Sequence, residues 1–127
     1  MGGPVFDFWD RVHALTERDP RFRREAYEFV MRALEHTTTR LVRERRHVTG
    51  QELLRGLVDL ARDEFGDLAL AVFHEWGVHR SEDFGEIVFH LVEEGLLGRQ
   101  PEDSPTDFAG GIHLDTELNP RPAPPPG

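Results

Sequence analysis

At 127 residues the chain has one-domain length, and folding would bury roughly two-thirds of its unfolded surface, enough for a single core. It contains no cysteine, which excludes disulfide frameworks, thiolate metal sites and thiol nucleophiles, and all 15 of its Lys and Arg residues are arginine. A formal net charge of −9 argues against general nucleic-acid binding, because neutralising phosphates needs a basic surface.

The N-terminal stretch MGGPVFDFWD has neither a basic flank nor an apolar h-region, so no secretory signal is expected. Within and beyond it, Val5, Phe8, Trp9, Val12 and Leu15 recur at helical spacing and predict a first helix with one apolar stripe. Asp19-Pro20 reads as a helix opener, an Asp cap followed by Pro at the first helical position. The helix it predicts carries Phe22, Ala26, Phe29, Val30, Ala33 and Leu34 on one side, and the β-branched run Thr37-Thr38-Thr39 weakens it near its end.

Thr49-Gly-Gln-Glu52 fits a capping box. The helix it opens lines up Leu53, Leu54, Leu57, Val58, Ala61 and Phe65, with Gly66 as its stop. Residues 67–76 are apolar nearly all round and predict a buried central helix ended by Gly77. The longest apolar run, 68–73, falls far short of the about 20 residues a membrane span needs, so a soluble, cytoplasmic protein is expected.

Ser81-Glu-Asp predicts the last clear helix, with a hydroxyl cap, two acids in its first turn and Phe84, Ile87, Val88, Leu91 and Val92 toward the core. Gly95 and Gly98 break the pattern. Residues 99–110 read as loop, 111–114 as a short strand or extended chain, and the Pro-rich end as a disordered tail. The expected fold is mainly α, a single compact domain over 4–117 of about five helices, followed by a tail over 118–127. Pairing of 96–99 with 111–114 would add a β-hairpin and make it winged-helix-like.

The densest histidine cluster, His74-Glu-Trp-Gly-Val-His79, has the wrong spacing for a helical metal pair. A gap of five rotates the second ring by about 140° at about 100° per residue, and Gly77 interrupts the helix between them. Asp83, Glu86 and His90 share a face that Glu94 extends. They are the residues that would carry acid–base work in an enzyme, but a solvated face is the simpler reading. Asp83-Phe-Gly85 looks like a kinase metal-binding tripeptide, yet the other kinase motifs are missing, as are a Walker A sequence and a GxSxG elbow. No catalytic residue, metal site or cofactor is therefore expected.

Two features suggest contacts instead. Gly85, a mid-helix glycine, and Phe89, one turn later and off the core stripe, suggest a second packing surface for a protein partner, for a second copy of the chain, or for another helix of the same domain. Residues 1–48 hold ten arginines against eight acids, and residues 49–127 five against sixteen. Arg40, Arg43, Arg45 and Arg46, with Arg18, Arg21, Arg23 and Arg24 before them, suit phosphate or an acidic partner. The alternative is that they salt-bridge to the acidic second half, within the domain or between subunits.

Carrying RRHVTGQELLRGL at 45–57, FGDLALAVFHEWGV at 65–78, EDFGEIVFHLVEEGLLG at 82–98 and EDSPTDF at 102–108, the chain resembles a family of uncharacterised small, acidic, helical proteins of planctomycete- and verrucomicrobia-type bacteria. The resemblance spans residues 6–117 and implies a small helical domain; it brings no activity and no catalytic residues. Two functions stay open at this point: a non-catalytic protein-interaction module, and a winged-helix-like transcriptional or RNA-associated regulator. Against the second, a recognition helix beginning Ser-Glu-Asp-Phe-Gly-Glu would be repelled by phosphates.

Overall fold

Among the described residues six α-helices follow one another: α1 (Pro4–Arg18), α2 (Arg24–His36), α3 (Gly50–Phe65), α4 (Ala69–Glu75), α5 (Ser81–Glu93) and the single turn α6 (Leu114–Glu117). Of these, α1, α2, α3 and α5 run 13 to 16 residues and carry the fold. The computed structural model describes residues 4–42, 48–97 and 114–118, and no strand occurs among them. The fold is mainly α, as the hydrophobic periodicity predicts.

Helix α2 lies at the centre, packed against α1, α3 and α5. Its stripe Ala26, Phe29, Val30 and Ala33 is buried, and it meets Val12 and Leu15 of α1, Leu54 and Leu57 of α3, and Phe84, Ile87 and Leu91 of α5 in one core. Each large side chain so buried contributes about 1.5–3 kcal/mol relative to exposure. Trp9 departs from its expected stripe. It is 37 % exposed, edge-on to Phe8, with the Arg24 guanidinium 5.9 Å from its ring centroid.

The Asp19-Pro20 opener does not open a helix. α2 begins at Arg24, and the Asp19 carboxylate caps a turn instead, accepting from the Arg21 backbone N–H at 3.2 Å and from the Arg21 side chain. Residues 19–23 thus form a link that crosses the domain. Its backbone is tied to the end of α4 by the Arg23 N–H donating to the Trp76 carbonyl at 3.0 Å. Gly77 makes that approach feasible. Its φ is 91°, and a Cβ there would overlap the Arg21 carbonyl oxygen.

The threonine run weakens α2 by a specific route. The hydroxyls of Thr37, Thr38 and Thr39 donate to the carbonyls of Ala33, Leu34 and Glu35 at 2.7–2.9 Å, competing for acceptors of the helical ladder, and the chain widens into a π-helical segment over Thr37–Val42. Thr37 is wholly buried. Gly56, in the middle of α3, lies directly against it, and a Cβ at that position would overlap the Thr37 hydroxyl.

The capping box of α3 forms as the sequence predicts: Glu52 N–H donates to Thr49 Oγ1 at 3.1 Å and Thr49 N–H to Glu52 Oε1 at 3.0 Å. Residues 67–76, by contrast, are not a buried central helix. A 3-10 turn over Gly66–Leu68 leads into a short α4 that buries only Ala69 and Phe73, and Leu68 is 67 % exposed. What makes α4 indispensable is aromatic. Phe73 sits 5.7 Å from Phe29 and 5.0 Å from Phe84, ring centre to ring centre, with Trp76 5.4 Å from Phe29, so the rings join α2, α4 and α5.

Ser81 is the first residue of α5 and buried, and the cap position is Arg80; Asp83, in the first turn, reaches back, its Oδ2 accepting from the backbone N–H groups of His79 and Arg80 at 2.9 and 3.1 Å. Gly95, at φ 74°, ends the helix, and the N–H groups of Leu96 and Leu97 turn back to the Leu91 carbonyl. Those two residues are therefore a helix terminus and not a strand, and Leu114 starts α6, so the hairpin of a wing is not found where its residues are described; 98–99 and 111–113 lie outside them. Leu118 is buried with Leu114, while 119–127 lies outside the described residues.

Candidate functional site

Helix α5 carries the residues singled out from the sequence, and its sides have distinct fates. Its core side is Phe84, Ile87 and Leu91. The side bearing Asp83, His90 and Glu94 is not a solvated face, because the 19–23 link and the end of α1 lie across it. The His90 side chain is only 13 % exposed. Its Nδ1 is 3.0 Å from the hydroxyl of Tyr27, with the two rings stacked, and its Nε2 is 3.6 Å from Asp19 Oδ2. The imidazole thus sits between a hydroxyl and a carboxylate, one at each ring nitrogen.

The network continues outward. The Arg21 guanidinium donates to both oxygens of Asp19, with Nη2 at 2.8 Å, and reaches Glu86 Oε2 at 3.4 Å. This guanidinium holds the Asp19 carboxyl below the usual carboxylate range. Burial pushes the Tyr27 phenol the other way, up to about 12. On the far side, Arg18 Nη2 meets Glu94 Oε2 at 2.5 Å and Arg11 Nη1 donates to the Glu94 carbonyl at 2.6 Å, closing α1 over the end of α5.

A hydroxyl, an imidazole and a carboxylate in sequence have the makings of a nucleophile and its base. Here the hydroxyl has no access to a substrate, since Tyr27 is 0 % exposed and its oxygen faces inward to His90. The constellation locks the link to α2 and α5, and no buried side-chain polar atom among the described residues lacks a partner. Sequence reasoning found His90 but missed Tyr27 and Asp19 as its partners. Tyr27 is one position off the α2 stripe, and the crossing of the link has no local signature.

The arginines of the first half are taken up in the same manner. Arg18, Arg21, Arg23 and Arg32 pair with Glu94, Glu86, Glu75 and Glu64, and His36 meets Asp59 at 2.6 Å. Read along the first half, the acids come in reverse order, so the two halves lie antiparallel and are laced by charge. The salt-bridged alternative thus holds for these arginines, within the domain, and Arg24 covers Trp9. Arg43, Arg45 and Arg46 lie outside the described residues, and Arg40 is described in its backbone alone.

His74 and His79 are closer than helical spacing implies, their ring centroids 4.8 Å apart, because the turn at Gly77 folds one back on the other. No group of three or more ligating side chains gathers to hold a metal among the described residues. Nor is any described helix long and apolar enough to cross a membrane.

Gly85 and Phe89 part company. Gly85 is buried within the domain, whereas Phe89 is 38 % exposed. At about 100° per residue, Glu82, Glu86, Phe89 and Glu93 fall within about 60° of one another, opposite Leu91. Phe89 therefore lies within the outward stripe, at its edge nearest Gly85. Comparison with protein families, curated proteins and solved structures finds no match to this chain.

Proposed function

We propose that the protein is a non-catalytic interaction module that presents the outward side of α5 to a protein partner or to a second copy of itself. The observation that carries this reading is Phe89, an aromatic ring partly exposed on the solvent side of an otherwise regular amphipathic helix, with Gly85 buried one turn before it. The groups that would argue for chemistry support the same reading from the other direction. Asp19, Tyr27, His90 and Glu86 are committed to holding the fold.

The outward stripe of α5 is acidic and the wing residues that are described form no hairpin, so the regulator with a DNA-reading helix has less to recommend it. The test combines self-association, by sedimentation across a concentration series, with capture of partners on tagged protein at low and high salt. Phe89→Ala should abolish the complex, whether homotypic or with a partner, while leaving the chain folded with only a modestly lowered unfolding midpoint. A monomer that captures nothing, or a complex indifferent to Phe89→Ala, would sink the reading.

A further inference from the structure

The outward stripe of α5 carries one aromatic ring between carboxylates. Phe89 lies between Glu82 and Glu86 on one side and Glu93 on the other along the helix. Glu86 is shared with Arg21, while Glu82 receives a hydrogen bond from Ser81 Oγ at 3.2 Å and Glu93 is exposed. Neither Glu82 nor Glu93 makes an ion pair among the described residues.

Of the arginines nearest α5, Arg18 is spent on Glu94, Arg21 on Asp19 and Arg23 on Glu75, while the exposed Arg80 at the start of the helix makes no ion pair with Glu82. The stripe thus holds a partly exposed aromatic ring flanked by two carboxylates, Glu82 and Glu93, that make no ion pair among the described residues. Its complement is an apolar side chain flanked by positive charge, repeated at helical spacing.

We infer that this stripe docks a basic amphipathic helical segment of a partner protein, with an apolar anchor seated on Phe89 and cations facing Glu82 and Glu93. The inference rests on the α5 reading above and adds the chemistry of the partner. An acidic or uncharged partner would leave the carboxylates desolvated without compensation. A second copy would bring carboxylates against carboxylates if it used the same stripe in a two-fold contact.

The experiment uses the full chain and a synthetic helical peptide carrying a leucine seam flanked by arginines, with a second peptide in which glutamates replace the arginines. Binding is read by fluorescence anisotropy and located by amide shifts. The arginine peptide should bind, shift amides of 82–93, and weaken as salt rises. Phe89→Ser and the double variant Glu82→Arg/Glu93→Arg should each cost at least about tenfold in affinity. Leu68→Ser, at an exposed leucine away from α5, should cost nothing.

Equal binding of both peptides, shifts confined to another face, or indifference to the α5 variants would overturn the inference. So would an absence of binding to the arginine peptide. If that happens while Phe89→Ala still abolishes self-association or the capture of a native partner, the basic-partner inference fails and the α5 reading stands. If Phe89→Ala is silent there too, both fail together.

Discussion

Tyr27 and His90 show how a polar pair can serve a core. Tyr27 is the one tyrosine of the chain, so its phenolate absorbance reports a single group. Burial holds its phenol up at about 12, against 10 for the free side chain. A raised folded value means that stability is intact below pH 10 and is lost as pH climbs toward 12, because the unfolded chain ionises first. Alkaline titration should show the absorbance rising late and together with unfolding, and Tyr27→Phe should remove that alkaline loss. Asp19 and Glu64 have the opposite sign. Arg21 lowers the first from 3.8 and Arg32 lowers the second from 4.5. Their contribution is present above those values and disappears as pH falls through the lowered folded ones. Urea midpoints measured down a pH series should therefore hold to about pH 5 and decline below it.

At the scale of the helices, the decisive contact is the one between Gly56 of α3 and Thr37 at the end of α2. Helix propensity alone promises that Gly56→Ala would gain about 1 kcal/mol. Overlap with the buried Thr37 hydroxyl predicts instead a loss of about 1–3 kcal/mol, read from denaturant unfolding. A stabilised variant would mean that α2 and α3 are not in close approach there. Gly56 escaped sequence reasoning, because a glycine within a strong apolar stripe looks like a weak point of one helix and gives no hint of a neighbour. The same limit explains the other departures. The stripes of α2, α3 and α5 and the Thr49 box were legible, since periodicity and capping are local. The burial of His90, the closeness of His74 to His79 and the modest burial of α4 depend on which segment crosses which, and that is set by contacts between residues distant in the chain. The Asp19-Pro20 signal was real but ambiguous: the same Asp side chain caps a helix or a turn, and Arg21 decided for the turn.

At the scale of the whole molecule, five ion pairs among the described residues run from a basic side chain of the first half to a carboxylate of the second. The individual pairs are exposed and each is worth no more than about 1 kcal/mol. Their value is in register: a slip of one helix against another would misalign several pairs at once. Phe89 stands outside this scheme and is only partly buried, so Phe89→Ala should cost about 1–2 kcal/mol, short of the about 3–5 kcal/mol of a fully buried ring. Thermal or urea unfolding of that variant checks it, and a larger loss would mean that the ring is packed in the fold and not free for a partner.

The reverse-order lacing has a consequence for severed chains. Arg18 and Glu94 meet across 76 residues, so α1 is anchored by the far end of the domain and neither half owns a complete core. Produced as separate polypeptides, residues 1–48 and 49–127 should each be largely unstructured and yet recombine on mixing, because their charges, +2 and −11, oppose and their apolar stripes are complementary. Fragment complementation followed by circular dichroism would register helix regained only in the mixture, more slowly as salt rises. Independent helicity in either piece would show that the lacing decorates the fold without holding its halves together.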